Sequence, residues 1–337
     1  MSEATTRGGA PDVATPHPAG PGAGVDAGPR AAASVGSVRR VFGADGRLGS
    51  VVPVLTVVLA LLGLWYVAAV AMNLAWERDQ AARAGGQTPS TLSLVPATMS
   101  QDRPVLPAPH QVAAELIDTT FGKKITSKRS LVHHAGITLS STLVGFALGT
   151  LLGVALAVAI VYARTLNRSL MPWIVASQTI PIIAIAPMII VVLNAIGVQG
   201  LLPKAFISMY LSFFPVVVGT VKGLSSPDPN HVDLMRTWNA SALQGFLRLR
   251  LPTSLPYLFA GMKVAVAIAL VGAIVAELPT GAVAGLGARL LAGSYYGQTI
   301  QIWSALVMAS LLAATLVALV GLAGRLVERR MGVAGDA

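Results

Sequence analysis

Long apolar stretches alternate with short polar ones along this chain. No Asp, Glu, Lys or Arg occurs in residues 48–76, 130–163, 169–203 or 290–324. Each of these runs exceeds the roughly 20 residues a helix needs to cross the hydrocarbon core of a bilayer. Two further apolar segments, 201–224 and 256–278, carry Lys204, Lys263 and Glu277; lysines near helix ends reach the interface with their long stems. The pattern predicts an all-α, polytopic membrane protein with about six transmembrane helices.

The same pattern divides the chain. Residues 1–48 are rich in Ala, Gly and Pro with almost no large apolar side chains, which predicts a disordered tail. The first transmembrane helix is placed at 49–76. Its apolar run is too long for a signal-peptide h-region, so despite the Ala69-Val70-Ala71 triplet it is read as a retained helix over 51–73. An external loop, 77–134, follows. Within it, 110–121 is read as an amphipathic helix lying along the membrane surface, with Val112, Leu116 and Ile117 on one face. The core is placed at 135–328 and a short tail at 329–337.

Inside the core the second span carries Gly145, Gly149 and Gly153 at four-residue spacing. Small residues repeated on one helix face let another helix approach closely, so these are read as packing residues. The third span, 170–193, holds Pro172, Pro181 and Pro187, with Gln178 and Thr179 between the first two. Proline kinks a helix and leaves carbonyls needing partners, which predicts a kinked, partly polar helix lining a pathway. The fourth span adds Ser208, Tyr210 and Ser212 and a Phe213-Phe214-Pro215 break. The fifth ends at Glu277, followed by Pro279 and a Gly-rich outer segment, 281–293. Glu277 is either a pathway group or an interfacial residue capping structure near the outer surface. The pathway candidates are thus Gln178, Thr179, Pro181, Pro187, Ser208, Tyr210, Ser212 and Glu277.

One polar island, 225–255, interrupts the second half of the core, and the bilayer gives no reason for it. Pro227 and Pro229 end the preceding segment, and 231–238 reads as a short helix with Val232, Met235 and Trp238 on one side. Asn239 is one of the few residues besides Gly that accepts a left-handed conformation at a helix end. Ser241 with Gln244 three positions on forms a capping box and starts a second helix. Leu243, Phe246, Leu247 and Leu249 then interleave with Arg248 and Arg250, Pro252 is read as the stop, and Pro256 as the start of the next span. The pattern is a helical hairpin with an exposed apolar face and a basic edge, a docking surface for a soluble partner.

Composition agrees with the membrane reading: 54% of residues are hydrophobic, 11% are charged, and the mean hydropathy is +0.69. The formal charge of +10 changes the picture only through its distribution. With the N-terminus inside, Arg39, Arg40, Arg47, Arg164, Arg168, Lys222, Arg236, Arg248, Arg250, Arg325, Arg329 and Arg330 fall on the cytoplasmic side, and the short outer loops carry only Arg289. Lys123, Lys124, Lys128 and Arg129 lie in the first outer loop, which is too long to set orientation, so the distribution is the positive-inside pattern rather than a nucleic-acid surface. Both termini are therefore placed in the cytoplasm. With no cysteine in the chain, disulfides and thiolate sites are excluded.

At the hairpin the chain resembles the permease subunits of ABC importers that work with a separate substrate-binding protein. Their cytoplasmic signature is Glu-Ala-Ala, three residues, Gly, nine residues, Ile, one residue, Leu-Pro. Anchored on Leu251-Pro252, it places Leu249 at the Ile position, Asn239 at the Gly position and Asp233-Leu234-Met235 at the triplet. Asp keeps the charge and Asn keeps the turn geometry, while Leu234 and Met235 are bulkier than the family's alanines. The resemblance covers 107–328. Ile180-Pro181 with Ala186-Pro187, Ser212-Phe213-Phe214-Pro215, Gly223-Leu224, Leu255-Pro256, Ala260-Gly261, Ala276-Glu277 and Gly285-Leu286-Gly287 are similar to the nitrate, sulfonate, taurine and thiamine-precursor branch.

The resemblance implies a type I importer permease fold in a bacterial cell membrane, as a homodimer or a pair with a similar permease. It implies an external binding protein and a cytoplasmic ATP-binding subunit that holds ATP and Mg, with Asp233, Leu234, Met235, Asn239, Ser241, Gln244, Leu249, Leu251 and Pro252 coupling to that subunit.

Other classes fit less well. The chain has no GxxxxGK[ST] phosphate loop, no GxSxG elbow and no paired carboxylates in its apolar segments, so no catalytic residue, cofactor or metal is expected in it. His133 and His134 are adjacent, point about 100° apart on a helix and cannot share a metal as an i, i+4 pair does; they are read as interfacial. An ATP-independent secondary transporter or another polytopic membrane protein is the alternative, but neither the repeated halves nor the mid-membrane charges of secondary transporters are visible.

Overall fold

A computed structural model of the chain describes residues 48–83, 91–279 and 284–331. Every regular element among them is helical. The predicted tail lies outside the described residues. The chain divides into two compact units after Ala60. Helix α1 (Leu48–Arg83) supplies the described residues of the first unit and opens the second. In the first unit Val52, Val54, Leu55, Val57, Val58 and Leu59 are all exposed, as expected of a helix made for lipid.

In the second unit α1 runs past the predicted end at 76, because 77–83 (ERDQAAR) contains good helix formers and neither Gly nor Pro. The predicted loop is partly helical: α2 (Thr91–Met99) and α3 (Pro109–Ile117) lie within it. A π-helical turn, Asp118–Gly122, continues α3. Helix α3 does not turn the expected three residues to one side. Val112 is buried and Leu116 packs on the core formed by Leu131, Leu286, Ala305 and Ala309, but Ile117 is exposed. Asn73 of α1 is fully buried and holds the intervening segment. Its Nδ2 donates to the carbonyls of Leu106 at 2.9 Å and Thr98 at 3.4 Å, and its Oδ1 accepts from the amides of Val105 at 2.8 Å and Leu106 at 3.3 Å.

The core helices are α4 (Leu131–Tyr162), α5 (Arg164–Ser177), α6 (Ile182–Ala195), α7 (Leu201–Leu224), α8 (Pro229–Thr237), α9 (Ala242–Gly245), α10 (Leu251–Glu277), α11 (Leu286–Tyr295) and α12 (Thr299–Arg330). Among the described residues five helices are long and apolar enough to span a membrane, and α5 with α6 makes a sixth, bent by 99°.

The third span is therefore broken rather than kinked. Pro181 offers no amide to a continuing helix and drives Ile180 away from helical geometry. The carbonyls freed at the end of α5 find side-chain donors: Tyr210 Oη donates to Ser177 O at 2.5 Å and Thr179 Oγ1 to Ala176 O at 2.8 Å. The sixth span also starts later than predicted. Residues 286–295 form α11, and Gly297 at φ 65° turns the chain before α12 begins at Thr299.

Helix α7 is the centre of the core, packed between α4 and α10. Gly145, Gly149 and Gly153 are buried on the side of α4 that faces it. A Cβ on Gly145 would lie 2.6 Å from the carbonyl oxygen of Ala205, and one on Gly153 would lie 2.8 Å from Val216 Cβ. On the other side, a Cβ on Gly261 of α10 would lie 2.6 Å from the carbonyl oxygen of Pro215. Backbone-to-backbone contact on both flanks leaves no room for lipid or water between these three helices.

Candidate functional site

The hairpin between α7 and α10 begins with a cap. Asp228 accepts from the amide of Asn230 at 2.8 Å, and Pro229 takes the first helical position, where its missing N–H costs nothing. Helix α8 ends in a Schellman motif. Asn239 sits at φ 50°, its amide donates to Arg236 O at 2.9 Å, and the amide of Ala240 donates to Met235 O at 3.0 Å. Ser241 and Gln244 then form the reciprocal box: the Gln244 amide donates to Ser241 Oγ at 3.3 Å and the Ser241 amide to Gln244 Oε1 at 2.9 Å.

Pro252 does not stop the second helix. A π-helical turn, Phe246–Arg250, links α9 to α10, and the helix runs on from Ala242 to Glu277. The wider turn inserts a residue ahead of Pro252, where an ordinary α-turn would set the ring against a carbonyl. Thr253 Oγ1 donates to Leu249 O at 2.8 Å beside it.

The base of the hairpin is fixed to the core. Arg250 Nη1 donates to Leu224 O at 2.9 Å, closing the last turn of α7, and the rings of Phe246 and Tyr162 meet edge to face at 5.9 Å. Arg250 is a positioning residue that its place in a basic pair did not reveal. Of the nine expected coupling residues, Asp233, Leu234, Asn239, Ser241 and Gln244 are exposed, whereas Met235, Leu249, Leu251 and Pro252 are partly buried. Asp233 pairs with Arg236 at 3.0 Å, one turn on. Leu234, Trp238, Leu243 and Leu247 leave an apolar surface exposed, with Trp238 at 72%.

A second buried polar cluster lies where α4, α10 and α11 meet. Glu277 is fully buried. Its carboxyl accepts from Thr138 Oγ1 at 3.0 and 3.1 Å and from the Gly287 amide, in the first turn of α11, at 2.8 Å. Thr138 Oγ1 in turn accepts from the Leu286 amide at 2.8 Å. His134, expected at the interface, is buried here. Its Nδ1 accepts from the Gly285 amide at 3.0 Å, so Nε2 carries the proton and donates to Lys128 O at 2.9 Å. The Glu277 carboxyl thus caps the first turn of α11 from a buried position rather than an interfacial one. His134 and Thr138 are members that sequence reasoning missed; nothing in the spacing of α4 ties them to residues so far along the chain.

The remaining pathway candidates are scattered. Ser208 and Ser212 are buried between helices, with Ser208 Oγ donating to Ala269 O at 2.8 Å and Ser212 Oγ to Met209 O at 3.2 Å. Gln178, Thr179 and Pro181 sit at the break between α5 and α6, Tyr210 braces that break, and Pro187 lies inside α6. A cavity of about 620 Å³ opens instead between α4, the end of α6 and the start of α7, lined by Ser140, Ser141, Ile190, Asn194, Gln199 and Lys204 among others. None of the eight predicted pathway residues lines it.

Comparison with known proteins bears on the same segments. A family model described as the binding-protein-dependent transport system inner membrane component matches residues 149–333. The riboflavin transport system permease protein of Chloroflexus aurantiacus is 36% identical over 225 residues, 67% of this chain and 80% of that protein. The formylaminopyrimidine transport permease protein of Halalkalibacterium halodurans is 32% identical over 183 residues, 54% of this chain and 68% of its own length. The nitrate import permease protein of Synechococcus elongatus is 26% identical over 190 residues, 55% of this chain and 66% of that one.

Proposed function

The chain belongs to the family of binding-protein-dependent transport system inner membrane components, and from that premise we propose how this permease couples to its motor. The hairpin of α8 and α9 docks into a cytoplasmic ATP-binding subunit, which binds ATP and Mg, while a binding protein delivers solute from outside. Two permease copies, or this chain and a similar one, enclose the pathway. Closure of the ATPase pair pushes the two hairpins together and, through α7 and α10, switches the pathway between outward and inward access. Both termini and the hairpin lie in the cytoplasm, in keeping with the distribution of Arg and Lys. The cargo is a small polar solute; the relatives are named for such solutes, which differ in charge from one relative to the next.

The observation that carries this reading is a hairpin closed by its own caps and tied to α7 by Arg250, yet presenting Leu234, Trp238, Leu243 and Leu247 to solvent. Such anchors, a Trp above all, are what a buried interface is built from. The test is recovery of the ATPase with affinity-purified permease. Asp233→Lys reverses the charge at the triplet. Asn239→Val strains the left-handed turn by about 1–2 kcal/mol. Each lowers ATPase recovery while the amount of permease in the membrane is unchanged. Normal recovery with both variants overturns the coupling role, and solute uptake that survives loss of the ATPase overturns ATP-driven transport.

A further inference from the structure

The cavity beside α7 has the size and chemistry of a ligand site. Its volume, about 620 Å³, falls within the roughly 300–1,000 Å³ typical of small-molecule pockets. Lys204, Asn194 and Gln199 contribute one ammonium and two amides, and no carboxylate is among the lining residues. Ser140 and Ser141 donate their hydroxyl protons to carbonyls of their own helix at 2.7 and 3.0 Å, so they offer oxygen lone pairs and leave charge selection to Lys204.

Lys204 itself lies in the first turn of a membrane-spanning helix, near enough to the end for its stem to reach the interface, and it lines the cavity. Among the described residues it makes no ion pair within 4.0 Å. Glu277 lies within its electrostatic reach without forming an ion-pair contact with it. Ile190 and Pro203 add apolar lining to the same cavity.

We propose that this cavity, within a single subunit, binds a small organic anion (a carboxylate, sulfonate or phosphate on a short apolar body) and that Lys204 sets its charge selectivity. This rests on the permease reading, because it makes the cavity a station for cargo on the outer side of the pathway. An anionic lipid headgroup carries the same chemistry; the occupant proposed is the solute.

The natural absence of cysteine allows a direct test on the full chain. Asn194→Cys places a thiol in the cavity, Ser140→Cys provides a second reporter should the first not fold, and Tyr295→Cys, at a position 79% exposed, gives the reference reactivity. The probes are the sulfonatoethyl and trimethylammonium-ethyl methanethiosulfonates, an anion and a cation of similar size. In phosphatidylcholine nanodiscs the anionic probe, normalised to the reference, reacts about tenfold faster than the cationic one, the low end of electrostatic focusing in clefts. Lys204→Arg keeps that preference and Lys204→Gln abolishes it.

Failure of both reporters to react, equal rates with Lys204 present, or a preference that survives Lys204→Gln overturns the proposal. So does protection by added phosphatidylglycerol, which assigns the site to lipid. ATPase recovery is read on the same preparations: a lost preference with normal recovery removes this site alone, and lost recovery with the preference intact removes the coupling reading alone.

Discussion

Glu277 is buried between three helices, and each of its contacts has a structural consequence. Its carboxyl caps the first turn of α11 through Gly287 and meets Thr138 of α4. Gly285, at φ 131°, passes so close that a Cβ would strike that carboxyl. Glu277→Ala removes the acceptor from two donors in a dry setting and leaves a void, a loss of about 2–4 kcal/mol. Glu277→Gln retains one acceptor oxygen and loses less. Thermal unfolding of the purified chain in detergent is expected to rank wild type above Gln above Ala; equal midpoints for all three would remove the cap as a stabilising element. Gly285→Ala is expected to fall near Glu277→Ala, since it combines a backbone strain with a collision. The sequence shows a carboxyl group at the end of a span but not what it meets. One partner lies 10 positions away and the other 139, a separation that no local pattern spans.

Among elements, the seam between α4 and α7 shows what spacing does and does not reveal. Gly145, Gly149 and Gly153 mark a face because four residues advance a helix by slightly more than one turn. Which helix fills that face is decided by chain topology, and the structure brings Ser208, Ser212 and Val216 of α7 against the three glycines. Gly136, on the same helix, has open space where its Cβ would be. Gly149→Leu forces α4 and α7 apart and is expected to abolish recovery of folded protein, whereas Gly136→Leu leaves it within about twofold. Size-exclusion profiles of the two variants in detergent test this, and equal behaviour would mean that the seam tolerates separation.

Proline was the less readable signal. Pro181 breaks a span and Pro252 does not, although both interrupt a helical pattern. The difference lies in what surrounds them: Tyr210 and Thr179 satisfy the carbonyls freed at the first, and a π-helical turn makes room at the second.

At the scale of the whole molecule, the number of membrane crossings follows from apolar length: four runs are free of charge and two more carry only a few charged groups, because a bilayer penalises charge along a span. The arrangement outside the bilayer obeys no such simple rule, and there the sequence reading foresaw a helix at α3 but placed a loop where α1 continues and α2 forms. What orders this region is a buried amide. Asn73 meets the backbone of Thr98, Val105 and Leu106, Trp65 Nε1 donates to Pro107 O at 3.1 Å, and Thr299 Oγ1 donates to Pro104 O at 2.5 Å. The rings of Trp65 and Trp303 meet at 5.0 Å. The segment between α2 and α3 thus bridges the later part of α1 to the start of α12, with Asn73 satisfying its buried backbone. Asn73→Ala strands two amides and two carbonyls, at about 1–3 kcal/mol for each group left without water or protein. The expected result is local: residues 98–108 become sensitive to limited proteolysis while the α4–α7–α10 core stays resistant. Cleavage spread evenly over the chain would instead mean that this clamp holds the entire fold, and an unchanged digest would mean that Trp65 and Thr299 suffice without it.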